Sequence, residues 1–318
     1  MTAGFMQKRL PKVFIAGSSG LLGRNLKEAL SSSGKFRIVE SKKRPELTNL
    51  ADCLKATRAA DIVVNAAGRV TSRLDQAKHP AQIFYTNTLI DFQLLEACRR
   101  NHISRYVTFS SITAYPARSS RGGLREEEIF SGEHPKIDGA LGFYGLSRWL
   151  TAHTALSYAL EYGIKSRVIV FPNLYGPGDK FHHSQPPLVA NLIKEISLAA
   201  QLGAKEYYGG NNQNQRLDIL HVKDATEFVL KVVNKFGKEN FLCVNAGSGR
   251  VVSIGEICGT IAQEVGFRGK IKWSRGSAVK PRLLSNLFAR RRYGWRPKIG
   301  LKQGIKNTVL WYKECYER

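Results

Sequence analysis

Acidic residues are scarce in this sequence of 318 residues: 25 Asp and Glu stand against 49 Lys and Arg, a formal net charge of +24. Such a field repels cations and attracts polyanions, whether a phosphorylated substrate and cofactor, nucleic acid or an anionic membrane. Long apolar runs are also missing. None approaches the roughly 20 residues needed to cross a bilayer, so no membrane span is expected. The opening stretch Met1–Arg9 lacks the apolar centre of a signal peptide. A cytoplasmic protein is therefore expected. Cysteine is sparse: Cys53, Cys98, Cys243, Cys258 and Cys315 show no paired spacing, which argues against a disulfide framework or a zinc site. We read them as reduced thiols and expect no metal. Internal repeats and low-complexity linkers are absent as well.

What is present suffices for a folded protein. Hydrophobic residues make up 43% of the chain, too many for disorder, and the length suits one large domain or two moderate ones. Between Glu264 and Glu314 lie fourteen Lys and Arg and no acid. Aromatic residues are few there, and Trp273, Trp295 and Trp311 read as core, so nucleic acid is disfavoured as a partner.

Five short runs rich in β-branched residues read as strands: 12–16, 36–39, 61–65, 106–109 and 166–170. Helix-length segments, notably 81–101 and 145–162, lie between them. Strands alternating with helices predict an α/β protein with a doubly wound parallel sheet, the Rossmann arrangement. Regular alternation is lost after Pro172. The expected division is a dinucleotide-binding domain over 1–172, to which 219–236 returns, and a smaller C-terminal α/β substrate domain over 173–318.

Gly17-Ser18-Ser19-Gly20-Leu21-Leu22-Gly23 follows the first strand and opens a helix. The first glycine permits a tight turn, the second lets backbone approach a pyrophosphate, and the third lets helix pack on strand. The helix N-terminus then offers free N–H groups to the phosphates. Glu40, near the end of the second strand, suits the ribose hydroxyls of NAD. Lys42-Lys43-Arg44 follows at once and suits a 2′-phosphate, so NADP is favoured, with NAD as the alternative.

Ser110-Ser111-Ile112-Thr113-Ala114-Tyr115 follows the fourth strand, and Tyr144-Gly145-Leu146-Ser147-Arg148 lies about thirty residues on. Positions 144 and 148 share one helix face. A phenol ordinarily titrates near pH 10 and needs help to exchange protons at neutral pH. A fixed cation favours the phenolate, and a serine hydroxyl can hold the substrate oxygen.

Together with Asn65-Ala66-Ala67-Gly68, Asn87, Pro172-Asn173-Leu174-Tyr175-Gly176-Pro177-Gly178-Asp179, Leu220-His221-Val222-Lys223-Asp224 and Gly294-Trp295-Arg296-Pro297, these motifs resemble the extended short-chain dehydrogenase/reductase family. The resemblance runs nearly end to end. Within it, Asn173 through His182 and Pro281-Arg282-Leu283-Leu284 most resemble the GDP-fucose synthase branch. The resemblance implies that Tyr144 is the proton donor or acceptor, with Ser111 as partner and Arg148 as the cation. It implies cofactor contacts from Gly17, Ser18, Ser19, Gly20, Leu21, Leu22, Gly23, Lys42, Lys43, Arg44, Ala66, Ala67, Gly68, Asn87, Pro172 and Leu174. Substrate contacts would come from Thr113, Asn173, His182, Arg216 and Arg282. The resemblance also points to a homodimer through helices 81–101 and 145–162, with packing of the two helices within one chain as the equal alternative.

Three positions depart from the family. Its lysine four after the tyrosine is Arg148 here, which keeps its charge but cannot relay a proton. Thr113 replaces the cysteine acid–base of the fucose synthases, and Ile112-Thr113 replaces the Asp-Glu pair of the dehydratases. Leu217 takes the place of an arginine four before His221, with Arg216 as its neighbour. Double epimerisation and 4,6-dehydration are therefore disfavoured. The remaining readings are reduction of an NDP-4-keto-6-deoxy sugar, with a GDP-sugar favoured, epimerisation at C4, and a non-catalytic NADP-binding regulator. The first is preferred because Ser111 and Tyr144 are both retained.

Overall fold

The computed structural model describes residues 9–317, apart from 42, 71, 118–122, 138–141, 183–185, 211 and 277–279. Strand and helix alternate through the first half: β1 (Lys12–Ala16), α1 (Leu21–Ser32), β2 (Arg37–Val39), α2 (Leu50–Thr57), β3 (Ile62–Asn65), α3 (Arg73–Lys78), α4 (Pro80–Arg100), β4 (Arg105–Ser111), α5 (Gly142–Tyr162) and β5 (Lys165–Phe171). The second half carries β6 (Asn173–Tyr175), α6 (Leu188–Gln201), β7 (Glu206–Tyr208), β8 (Arg216–Leu217), β9 (Ile219–His221) and α7 (Val222–Asn234). It ends with β10 (Phe241–Asn245), β11 (Val252–Ser253), α8 (Ile254–Val265), β12 (Lys270–Lys272), α9 (Leu287–Tyr293) and α10 (Leu301–Tyr316).

Six strands form one parallel sheet in the order β10-β5-β4-β3-β1-β2. From β1 the chain moves outward to β2, then crosses back to β3 on the other flank of β1. At such a reversal the loops leaving the two strands diverge and open a crevice at their C-terminal ends.

The sheet is apolar on both faces, as a sheet covered by helices on both sides must be. Val13, Ile15, Ile62, Val64, Val107, Ile169 and Phe171 meet Leu22, Leu26 and Leu30 of α1, Phe228 and Val232 of α7, and Trp295. The alternate residues Phe14, Ala16, Val63, Tyr106, Val168 and Val170 meet Cys53 of α2, Leu94 and Cys98 of α4, and Ala152 and Ala155 of α5. A third core joins α6, α8 and α10, and Trp273 and Trp311 pack against it.

All five anticipated strands are present, within a residue or two. The sixth, β10, was not anticipated. Its residues 241–243 are only half-buried and it lies at the sheet edge, where alternation gives a weak signal. β10 pairs in parallel with β5, so residues 241–245 add an edge strand to this sheet. Among the described residues, no helix is long and apolar enough to cross a membrane.

Candidate active site

The crevice between β1 and β3 is built by close backbone approach. Gly17 has φ +74°, and a Cβ there would lie 2.7 Å from the Ala66 carbonyl and the Ala67 backbone. The Gly20 amide donates to the Gly17 carbonyl at 3.0 Å, closing the turn. A Cβ on Gly23 would sit 2.1 Å from that carbonyl oxygen. Gly20 caps α1 with no side-chain hydrogen bond, and the first turn holds no acid. The leading N–H groups and the positive end of the helix dipole are therefore left for an anion. Ser18 and Ser19 lie exposed on the crest. These features fit a dinucleotide pyrophosphate.

The walls come from other loops. Asn65 accepts from the Ala67 amide at 3.1 Å, and Asn87 holds Arg69 by its amide (2.7 Å) and its carbonyl (3.2 Å). Both ends of the Asn87 side chain are thus engaged in shaping the 66–69 loop. Asn25 of α1 donates to the Pro177 carbonyl at 3.1 Å, which fastens the 176–180 loop over the helix start. Lys43 and Arg44 are exposed after β2, and Lys42 lies outside the described residues. Glu40 pairs with Lys27 at 2.5 Å. Lys180, which the sequence pattern did not single out, lies within electrostatic reach of Arg44, and burial and that neighbour lower its pKa.

Asp179 in the same loop is 4% exposed, and burial pushes its carboxyl up to about 6. The folded state then binds the proton more tightly than the unfolded chain. This group's stabilisation is full below about pH 4 and is lost as pH rises through 6. At neutral pH ionising it costs on the order of 3 kcal/mol. We therefore expect Asp179→Asn, which can still accept from the Lys180 amide, to raise the melting temperature by several degrees at pH 7. The gain should vanish near pH 4. A lower melting temperature at pH 7 would contradict this.

The candidate proton-exchange residues meet at the end of β4. Ser111 caps a 3-10 turn, Ile112–Ala114, by accepting from the Thr113 amide at 3.3 Å. Gly145 brings α5 hard against this turn, since a Cβ there would lie 2.6 Å from the Thr113 carbonyl. That approach brings the Tyr144 phenol close enough to the Ser111 hydroxyl to feel it electrostatically. One turn on, the Arg148 guanidinium carbon lies 5.8 Å from the Tyr144 ring centroid. Its Nη1 donates to the Phe109 carbonyl at 3.3 Å and lies 4.0 Å from where a Cβ on Gly68 would stand. The proton-exchange pair and the crevice are therefore contiguous.

The electrostatics correct one expectation. Arg148 and the Ser111 hydroxyl do lower the Tyr144 pKa, but burial outweighs them and Asp91 adds to it, so the phenol sits above its ordinary range. Tyr144 is protonated at neutral pH. Asp91 was not anticipated. It stands one turn after Asn87 on the buried face of α4, and an acid among Ile90, Leu94 and Leu95 was the available signal.

The remaining anticipated residues divide. Thr113 has a buried hydroxyl without a partner among the described residues. Asn173 is exposed, and its amide Nδ2 donates to the Asp218 carbonyl at 3.2 Å. Pro172 is buried, Leu174 packs on the first core, and His182 is exposed. Arg216 points to solvent on β8 while Leu217 joins the third core. Arg282 uses Nη2 to hold the Tyr115 and Pro116 carbonyls at 3.0 and 2.9 Å. It anchors the segment after the Ser111 turn, a role that its sequence context did not reveal.

The family model described as the NAD dependent epimerase/dehydratase family matches residues 13–247. The chain is 26% identical over 320 residues to the GDP-L-fucose synthase of Escherichia coli (strain K12), covering 96% of this chain and 98% of that protein. The crystal structure of a GDP-6-OMe-4-keto-L-xylo-heptose reductase from Campylobacter jejuni matches with TM-score 0.86 and 22% identity, over 96% of this chain and 98% of the other. A GDP-mannoheptose C4 reductase from Campylobacter jejuni with NADP bound matches with TM-score 0.82 and 22% identity, over the same shares.

Proposed function

The chain belongs to the NAD dependent epimerase/dehydratase family, and from that premise we propose that it is an NADP-dependent reductase of a GDP-linked 4-keto sugar. The observation that carries this reading is the Ser111 hydroxyl beside a protonated Tyr144 at the glycine-lined crevice. No acid or thiol stands at 112 or 113. The names of the similar proteins support it: one is a fucose synthase, and two are reductases of GDP-linked heptoses, one with NADP bound.

In this reading the backbone of Gly17–Gly23 holds the pyrophosphate. Lys43 and Arg44 take the 2′-phosphate, joined by Lys180 and by Lys42. Ala66–Gly68, Pro172 and Leu174 line the rest of the dinucleotide site. The bound cofactor supplies a hydride from its nicotinamide. The chain's own groups do the proton work. Ser111 orients the phenol and holds the substrate's C4 oxygen, and Tyr144 gives that oxygen its proton. Arg148 stabilises the phenolate left behind. Thr113 offers its unused hydroxyl to the sugar, and Asn173, His182 and Arg216 bound the sugar-nucleotide. Ile112 and Thr113 cannot exchange protons with a sugar carbon, so neighbouring stereocentres are left unchanged.

We take the cofactor-binding unit to be 1–172 with 219–245 and α9 through Trp295, which pack on the first core, and the substrate unit to be the elements around the third core. Tyr85 and Phe92 on α4 and Leu160 on α5 are exposed, Leu160 at 77%. We take this stripe as the seam of a homodimer, to be checked by sedimentation. A cytoplasmic location accords with five free thiols.

The test is NADPH oxidation by the purified protein with GDP-4-keto-6-deoxymannose and dTDP-4-keto-6-deoxyglucose. Consumption with the GDP-sugar is expected. Because the donor must be protonated and its pKa is raised, the rate should stay within about twofold from pH 7 to pH 9. The reverse oxidation, which needs the phenolate, should rise with pH. Conversion of a sugar at C4 with no net NADPH consumption would favour an epimerase instead.

A further inference from the structure

We propose that Asp91 is the positioning residue that allows an arginine to serve at position 148: its buried carboxylate holds the guanidinium between the Tyr144 ring and the Gly68 wall of the crevice. The proposal rests on the reading of Tyr144 and Arg148 given above.

Arginine at this site raises a physical problem. The guanidinium is always charged, and Arg148 is 7% exposed. A buried unpaired cation is strongly destabilising. Its plane also carries several donors that must be satisfied. The structure meets this need in part, from the far side, and leaves the buried Arg148 Nε without a partner among the described residues. Asp91, 3% exposed on α4, places Oδ2 3.5 Å from Arg148 Nη2. Nη1 is left directed to the Phe109 carbonyl. The arginine's backbone is fixed too, because the Ser110 hydroxyl donates to its carbonyl at 2.8 Å.

Asp91 is itself held by donors from three elements. Thr151 of α5 donates to Oδ2 at 2.5 Å, and Asn65 of β3 donates to Oδ1 at 2.6 Å. Thr108 of β4 lies 3.4 Å from Oδ1. The orientation of Asn65 is not free, since its Oδ1 accepts the Ala67 amide in the crevice wall. One buried carboxyl thus ties the crevice backbone, α5 and the guanidinium into a single network; burial raises the Asp91 pKa, and Arg148, Thr151, Thr108 and Asn65 each oppose that rise.

The charged groups that act on Tyr144 are Arg148 on its own helix and Asp91 on α4, and the Ser111 hydroxyl of β4 acts with Arg148. Asp91 opposes Arg148 there. The ion pair therefore presents a weaker positive field to the phenol than a lone cation would. That suits a tyrosine that must keep its proton until the substrate takes it.

The test is a double-mutant cycle with Asp91→Asn, Arg148→Lys and the double variant. The readouts are NADPH affinity by nicotinamide fluorescence, melting temperature, and the Tyr144 phenol titration, taken as a difference from each Tyr144→Phe counterpart. Asp91→Asn is expected to weaken NADPH binding about tenfold when residue 148 is arginine. In the Arg148→Lys background the loss should be less than about twofold, because a compact ammonium does not need the same clamp. The phenol should titrate lower in Asp91→Asn than in the unaltered protein. If Asp91→Asn does not fold, Thr151→Val removes the 2.5 Å bond and should give the same background dependence at about threefold. Equal effects of Asp91→Asn in both backgrounds, with only the melting temperature moved, would overturn the proposal and leave Asp91 a packing residue. NADPH binding without turnover of any 4-keto sugar overturns the earlier reading alone, whereas no NADPH binding by the unaltered protein overturns both.

Discussion

Tyr144→Phe is expected to lower kcat for reduction by about a thousandfold while NADPH affinity stays within about threefold. The substitution removes one oxygen. The ring remains packed at the start of α5, and the Gly145 approach to the Thr113 carbonyl is unaffected. What is lost is the proton that the C4 oxygen must receive as the reduction proceeds. Ser111 cannot replace it, because a serine hydroxyl is a far weaker acid than a phenol and has no cation placed to stabilise its alkoxide as Arg148 is placed beside Tyr144. Steady-state kinetics beside fluorescence titration of NADPH separates the two effects. A variant that retained more than about a tenth of the activity would remove Tyr144 from the proton path.

Gly23→Ala is expected to reduce NADPH affinity by at least about a hundredfold and to lower the melting temperature, the combined result of steric overlap with backbone. The added methyl would lie 2.1 Å from the Gly17 carbonyl oxygen and 2.8 Å from its carbonyl carbon. Neither atom is the end of a flexible side chain. Relief requires α1 to lift from the turn, which breaks the Gly20–Gly17 hydrogen bond and swings the helix N-terminus off the pyrophosphate path. The same change at Gly259, where nothing lies within 4 Å, is the control and should leave binding unaltered. Isothermal titration with NADPH checks both variants. Unchanged affinity in Gly23→Ala would show that the loop does not cradle the phosphates.

These expectations also show which parts of the molecule sequence could reveal. Five sheet strands were readable because residues such as Val13, Phe14, Ile15, Val63 and Val168 are apolar on both faces, and β1 and β5 run directly into Gly17 and Pro172. The phosphate loop was readable because its glycines answer to backbone geometry that no other residue tolerates. β10 was not, since its partner β5 lies some seventy positions earlier and residues 241–243 are only half-buried. Side-chain pairings across the fold were hidden for the same reason. Nothing in local spacing links Asp91 to Arg148, or Arg282 to the carbonyls of Tyr115 and Pro116. A motif identifies Tyr144 and Ser111 as partners, but the direction of the phenol's pKa depends on burial and on Asp91, and both are properties of the packed structure.

The central claim is that hydride and proton add across a 4-keto group, and isotope tracing tests it most directly. NADPH deuterated at the transferable position of C4 is incubated with the protein and GDP-4-keto-6-deoxymannose, and the sugar is examined by mass spectrometry and proton NMR. The account predicts one deuterium, at sugar C4 alone, with one NADPH consumed per product formed. A product without deuterium, or deuterium exchanged from solvent at C3 or C5, would contradict it.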